Sequence, residues 1–206
     1  MQFFFLSPIS LLCVDKIIWL KNHKVVITGA PGTGKTSIIN GLEDQGHHCF
    51  HEIIRDMTSS AKMEGEPGSF VSNPLVFVDD ALQFNKDLLY GRTKHYIDSL
   101  DLKVPISFFD RGIPDVLAYM DFFDQSYDKE FTDACENHLY DAIFIVPPWK
   151  EIYVSDNERL ETYEEAEKIH DALMDTYTRF GYDPILVPKD PVKARVDFIL
   201  DNLKSA

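Results

Sequence analysis

The chain predicts an α/β domain with a central parallel sheet covered on both faces. Three observations carry this: short apolar strands alternate with amphipathic helices, a glycine-rich turn joins the first strand to the first helix, and 206 residues suit one such domain.

The elements follow in order. Lys24 to Thr28 is a short apolar strand. The turn Gly29 to Gly34 leads into a helix over residues 35–45, with Ile38, Ile39 and Leu42 inward and Gly46 at its end. Residues 48–52 form a second strand. Residues 60–73, with Gly65, Pro67 and Gly68, read as a loop. Asn73-Pro74 then starts a long helix to about residue 99, with Val78, Leu82, Leu89 and Tyr96 on its apolar side. Val104 to Phe109 is a third strand ending at Asp110. Pro114 opens a short helix, residues 128–139 form another, and Ala142 to Val146 is the fourth strand. Leu160, Tyr163, Ala166, Ile169, Leu173, Tyr177 and Phe180 recur at spacings of three and four, a helix closed by Gly181. Ile185 to Val187 is the fifth strand, and Asp190-Pro191 starts a last helix carrying Val192, Val196, Ile199 and Leu203. Ligands of such sheets bind at the carboxyl ends of the strands, so Gly29, Asp110 and Pro147 are expected on one rim.

Residues 1–22 read as an N-terminal extension before a domain spanning 23–206. Their apolar runs are broken by Pro8, Asp15 and Lys16, which argues against a membrane span of about 20 apolar residues; a membrane-associating module is the less favoured reading. A net charge of −14 argues against long nucleic acid as a partner, because counterion release needs a basic surface. Cys13, Cys49 and Cys135 are far apart and form no CxxC pair. Reduced thiols in a cytoplasmic protein are expected.

Gly29-Ala30-Pro31-Gly32-Thr33-Gly34-Lys35-Thr36 matches G-x-x-x-x-G-K-[ST] at every fixed position. Glycines let the turn curl until several amides point into one cavity, and the following helix adds its positive end. Residues Gly29 to Ser37 are the candidate nucleotide-binding set. Lys35 is expected on the β- and γ-phosphates of ATP, with GTP the alternative, and the Thr36 hydroxyl on Mg²⁺. The dinucleotide fingerprint fails at Ser37, and no H-R-D or D-F-G of a protein kinase occurs.

Asp110-Arg111-Gly112 follows an apolar strand, where a second Mg²⁺ ligand belongs. Asp110 is the candidate metal ligand or proton acceptor. Arg111 stands where motor ATPases usually carry a Glu, and a cation there suits an anionic substrate or the transferring phosphoryl group. Glu52, at the end of the second strand, is a candidate general base, with Arg55 nearby. Pro147 to about residue 165 is a candidate lid, in which Arg159, and after it Lys150, could neutralise developing charge. His47, Cys49 and His51 share one face if the second strand is regular, yet no fourth zinc ligand is evident. Asn85-Lys86-Asp87 misses the guanine motif N-K-x-D by one place and falls in a helix.

The phosphate loop, Glu52-x-x-Arg55, Asp110-Arg111-Gly112, the lid and the stretch from Gly181-Tyr182 to Arg195-Val196-Asp197-Phe198-Ile199 come in an order that resembles the NadR-like AAA-type ATPase domains, relatives of nucleoside and nucleotide kinases. The resemblance spans roughly residues 22–204. It implies a three-layer P-loop kinase-type fold with strand order 2-3-1-4-5, the phosphate-loop strand beside the Asp110 strand. It also implies a base site near Pro188 to Asp190, and a role for Arg111 on substrate phosphate as in thymidylate-type kinases. Two functions are expected: a Mg²⁺- and ATP-dependent phosphotransferase acting on a nucleoside, nucleotide or similar metabolite, or an ATPase or GTPase switch read by a partner.

Overall fold

The strands pair where apolar side chains can be buried on both faces of one sheet. The computed structural model describes residues 22–54, 80–152 and 162–204. Among them run β1 (His23–Thr28), α1 (Lys35–Glu43), β2 (His48–Phe50), α2 (Ala81–Leu100), β3 (Ile106–Asp110), α3 (Pro114–Phe122), α4 (Lys129–Asn137), β4 (Ala142–Ile145), α5 (Tyr163–Arg179), β5 (Ile185–Leu186) and α6 (Val192–Lys204). The five strands are parallel in the order β2-β3-β1-β4-β5, the order that the resemblance implies.

Alternation along the strands divides the core into two layers. Val26, Phe109, Ile143 and Ile145 face α2 to α5, in a cluster with Leu88, Leu117, Phe131, Leu173 and Tyr177. Val25, Ile27, Phe108 and Phe144 face α1 and α6, against Ile38, Leu42, Val196 and Ile199. Central strands buried on both faces read as continuous apolar runs, which is how β1, β3 and β4 appear in the sequence.

Several boundaries differ from expectation. β3 starts at Ile106 because Pro105 has no amide for the ladder; its carbonyl takes the His23 amide at 2.9 Å instead. β2 stops at Phe50, and His51 Nε2 turns to Glu43 Oε1 at 2.8 Å. The long helix begins at Ala81, where extended Asp80 accepts from the Gln83 amide at 2.9 Å; Asn73-Pro74 and Val78 lie outside the described residues. Leu82 is exposed, and the buried stripe of α2 runs through Phe84, Asn85, Leu88, Leu89 and Arg92. α5 begins at Tyr163 behind a Thr162–Glu165 capping box, so the helix pattern starts after Leu160, which also lies outside the described residues.

Asn22 is buried, its amide bonded to Ser99 O at 2.8 Å and Ser107 Oγ at 2.9 Å; residues 1–21 lie outside the described residues. Among the described residues no helix is long and apolar enough to cross a membrane.

Candidate active site

The turn between β1 and α1 is built around backbone that side chains would obstruct. Gly29 has φ 149, and a Cβ there would run into the Val146 carbonyl oxygen at the end of β4. Gly34, at φ 86, is the N-cap of α1 and supplies no side-chain cap, so the first amides of the helix are left to an anion. The loop is braced within by Thr33 Oγ1 donating to Ala30 O at 2.9 Å, and from behind by Arg195 of α6, whose Nη1 donates to Thr33 O at 3.0 Å. The Arg195 guanidinium also lies 5.9 Å from the Trp149 ring. Gly29→Ala is expected to lose about 1–3 kcal/mol to backbone strain alone, read as a lower melting temperature together with weaker nucleotide binding.

Lys35 is buried and donates to Ala30 O at 2.9 Å. Burial, and then repulsion by the Arg111 guanidinium, lowers its ammonium to about 7, against the attraction of Asp110, Glu52 and Asp115. A bound polyphosphate favours the charged ammonium, so it raises this value. Above pH 7 nucleotide binding is therefore expected to take up a proton and to weaken as pH rises. Calorimetric heats measured in buffers of different ionisation enthalpy check this; equal heats contradict it. Thr36 is half-buried in the first turn of α1, whereas Ser37 is exposed.

β1 and β3 are neighbours with Ile27 opposite Asp110, and β4 adjoins β1 with Thr28 opposite Ile145. Gly29, Asp110 and Pro147 therefore leave one rim. Arg111 has φ 76, and its amide donates to Ile27 O at 3.1 Å. Its Nη1 reaches Gly29 O at 3.3 Å and Asp115 Oδ1 at 3.1 Å, and its Nε pairs with Glu52 Oε2. Arg92 of α2 pairs with Glu52 Oε1 at 3.2 Å and donates to Gly112 O at 3.2 Å. The Arg111 guanidinium also stands 5.2 Å from the Tyr119 ring. Glu52 thus divides its two oxygens between two buried arginines, beside the loop that holds Lys35.

Lys35, Asp110, Arg111 and Glu52 come together as four charged groups; Lys150 lies exposed past β4. Arg55 and Arg159 lie outside the described residues, as does the candidate lid between residues 153 and 161. His47, Cys49 and His51 form no common cluster. Burial pushes the Cys49 thiol up to about 12, the His47 ring meets Phe108 edge-on at 5.3 Å, and His51 bonds Glu43. Asn85 and Asp87 lie within α2, bonded to Gln125 and Gln83.

The sequence reading missed Arg92 and Asp115, met Tyr177 only as an apolar position of the helix before Gly181, and met Arg195 only as part of the C-terminal stretch. Arg92 carries a signal: a cation three and four residues after Leu89 and Leu88, on a buried helix face, needs an acidic partner. Asp115 carries a weaker one, an acid four residues after Arg111 at the start of a helix.

The family model described as an AAA domain matches residues 24–195. No curated protein matches the chain. Among solved structures, deoxyadenosine kinase from M. mycoides is 18% identical, with a TM-score of 0.61, covering 89% of this chain and all (100%) of that one. NadR in complex with NR is 18% identical with a TM-score of 0.63; 89% of this chain is covered, but only 51% of NadR, so the chain spans about half the length of that protein. Thymidylate kinase from Ehrlichia chaffeensis is 14% identical with a TM-score of 0.56, covering 88% and 98%. At these identities the structural likeness shows a fold similar to that of nucleoside and nucleotide kinases. The match over residues 24–195 carries the assignment: the chain belongs to the AAA domain family of P-loop proteins.

Proposed function

We propose that the protein is an ATP- and Mg²⁺-dependent phosphotransferase acting on a nucleoside, nucleotide or similar small metabolite. One observation carries the reading: Arg111 and Glu52 form a buried pair against the phosphate loop. A pair built for an anionic or hydroxyl-bearing acceptor suits transfer, whereas hydrolysis asks only for a positioned water. The fold shared with kinases of deoxyadenosine and thymidylate supports it.

In this mechanism the backbone N–H groups between Gly29 and Ser37, Pro31 having none, and the Lys35 ammonium hold the polyphosphate. Thr36 and Asp110 offer hard oxygen donors that fit Mg²⁺ and would hold it. The ion, when bound, neutralises charge on the bridging phosphates. Arg111 neutralises charge on the transferring group, and Arg159 from the lid does the same. Glu52 or Asp110 accepts the proton of the attacking hydroxyl. Positioning and electrostatics supply most of the acceleration, since phosphoryl transfer asks little covalent chemistry of a protein.

Membership of the AAA family favours a second reading, an ATPase or GTPase whose conformational change a partner reads. Labelled ATP with Mg²⁺ and pools of nucleosides, nucleotides and vitamins separates the two. Label in an acceptor supports transfer; release of free phosphate alone, whatever the pool, overturns it. Arg111→Ala is expected to raise the barrier by about 1.5–3 kcal/mol, the scale of a charge-assisted hydrogen bond. Glu52 keeps Arg92 as its partner in that variant, so an unchanged rate would remove Arg111 from the mechanism.

A further inference from the structure

Arg111 adopts φ 76, in the left-handed region, where a non-glycine residue persists only if its surroundings over-determine it. Three backbone groups of its turn are held. The Arg111 amide donates to Ile27 O, the Gly112 amide donates to Asp115 Oδ2 at 3.0 Å, and Gly112 O accepts from Arg92. Asp115 is the centre of this arrangement and is fully buried. Its Oδ1 accepts from Thr28 Oγ1 at 2.5 Å and Arg111 Nη1 at 3.1 Å; its Oδ2 accepts from the Gly112 amide and from the Tyr177 hydroxyl at 2.5 Å. Each oxygen is doubly occupied, so the carboxylate cannot rotate.

We propose that Tyr177 of α5 is a positioning residue for Arg111: its hydroxyl locks the Asp115 carboxylate, which fixes the guanidinium against the phosphate loop. Burial alone would raise the Asp115 carboxyl, but Arg92, Arg111 and the two hydroxyls outweigh it and hold it below its ordinary value. Tyr177 is pushed the opposite way, by burial and by the adjacent Asp115 charge. The hydroxyl therefore keeps its proton and donates. The same hydroxyl explains the glycine after Arg111. A Cβ at Gly112 would lie 2.5 Å from Tyr177 Oη, closer than any side chain can sit. Glycine at 112 and tyrosine at 177 thus form one unit, with Asp115 between them and Arg111.

The inference rests on the transfer reading, which puts Arg111 at the transferring phosphate. Binding of Mg-ADP and of Mg-AMP-PNP to the full chain tests it by calorimetry, on the unsubstituted protein, Arg111→Ala, Tyr177→Phe and the double variant. Arg111→Ala should cut the preference for AMP-PNP over ADP by roughly tenfold, and Tyr177→Phe by roughly fivefold with ADP binding unchanged. The double variant should lose no more than Arg111→Ala, because both act through one guanidinium. A tyrosine that only fills the core would weaken both nucleotides alike, or add its effect to that of Arg111→Ala; either result overturns the proposal. If Arg111→Ala leaves the preference unchanged, the transfer reading of Arg111 falls, and the proposal with it. If Arg111→Ala acts and Tyr177→Phe does not, the proposal alone falls. Should Tyr177→Phe fail to fold, 3-fluorotyrosine at position 177 keeps the ring and changes the hydroxyl as a donor. It should move the AMP-PNP to ADP preference without touching ADP binding, and an unmoved preference counts against the proposal.

Discussion

Lys35→Ala is expected to abolish turnover and to weaken binding of the nucleoside triphosphate by about 1.5–3 kcal/mol, roughly ten- to a hundredfold in Kd. The side chain is buried with its ammonium on Ala30 O, inside the turn whose amides are aimed at an anion. It is also surrounded by Asp110, Glu52, Asp115 and Arg111. Alanine removes the only cation that the phosphate loop itself carries, while Arg111 and Arg195 still brace Gly29 O and Thr33 O. Folding should therefore survive, since a buried lysine near neutrality contributes little that alanine forfeits. A melting temperature close to that of the unsubstituted chain, together with lost transfer, is the expected pair of results. Full turnover in Lys35→Ala would mean that phosphate is held elsewhere.

Asp115→Ala should be the most destabilising change in the site. It leaves the Arg111 guanidinium, two hydroxyls and the Gly112 amide without their shared acceptor in a buried place. Breaking one side of a buried charged cluster costs about 3–5 kcal/mol. In a domain of this size that is a fall of about 6–20 °C in melting temperature. The pH sign follows from the direction of the shift. The Asp115 carboxyl is held below its ordinary value in the folded state, so its contribution is present above about pH 4 and is lost as pH falls through the folded value. Acid denaturation should separate the unsubstituted chain from Asp115→Ala above about pH 4 and bring them together as the pH falls through the lower, folded-state value. Equal stability at pH 7 would mean that Arg111 is held by Glu52 and Gly29 alone.

Local signals were the legible ones. The phosphate loop is a fixed spacing between one strand and one helix, so Gly29 to Thr36 could be read without knowing what surrounds them. Asp110 and Arg111 were legible because a strand end is where such residues belong. Strand order was not legible from periodicity, because pairing of β1 with both β3 and β4 is a contact between distant segments; it came through the resemblance. Arg92 and Asp115 were missed for the same reason. Each is a charged helix residue whose partners cannot be named until the fold brings Glu52 and Gly112 to Arg92 from 40 and 20 residues away, and Tyr177 to Asp115 from 62. The expected helix start at Asn73-Pro74 lies outside the described residues; within them α2 opens at Ala81, capped by Asp80. Glu52 was read as a base with a nearby arginine. Among the described residues its partners are Arg92 of α2 and Arg111 just after β3, both far from Glu52 in sequence; Arg55 lies outside them.

One titration decides whether the turn at residues 29–36 is a polyphosphate cradle. Purine nucleoside triphosphates are added to the folded full chain in the presence of Mg²⁺, and the heat is recorded with the Lys35→Ala variant alongside. Saturable one-to-one binding by the unsubstituted chain, lost or much weakened in the variant, is the expected outcome. No heat from ATP or GTP on well-folded protein, or equal binding by both chains, would contradict it.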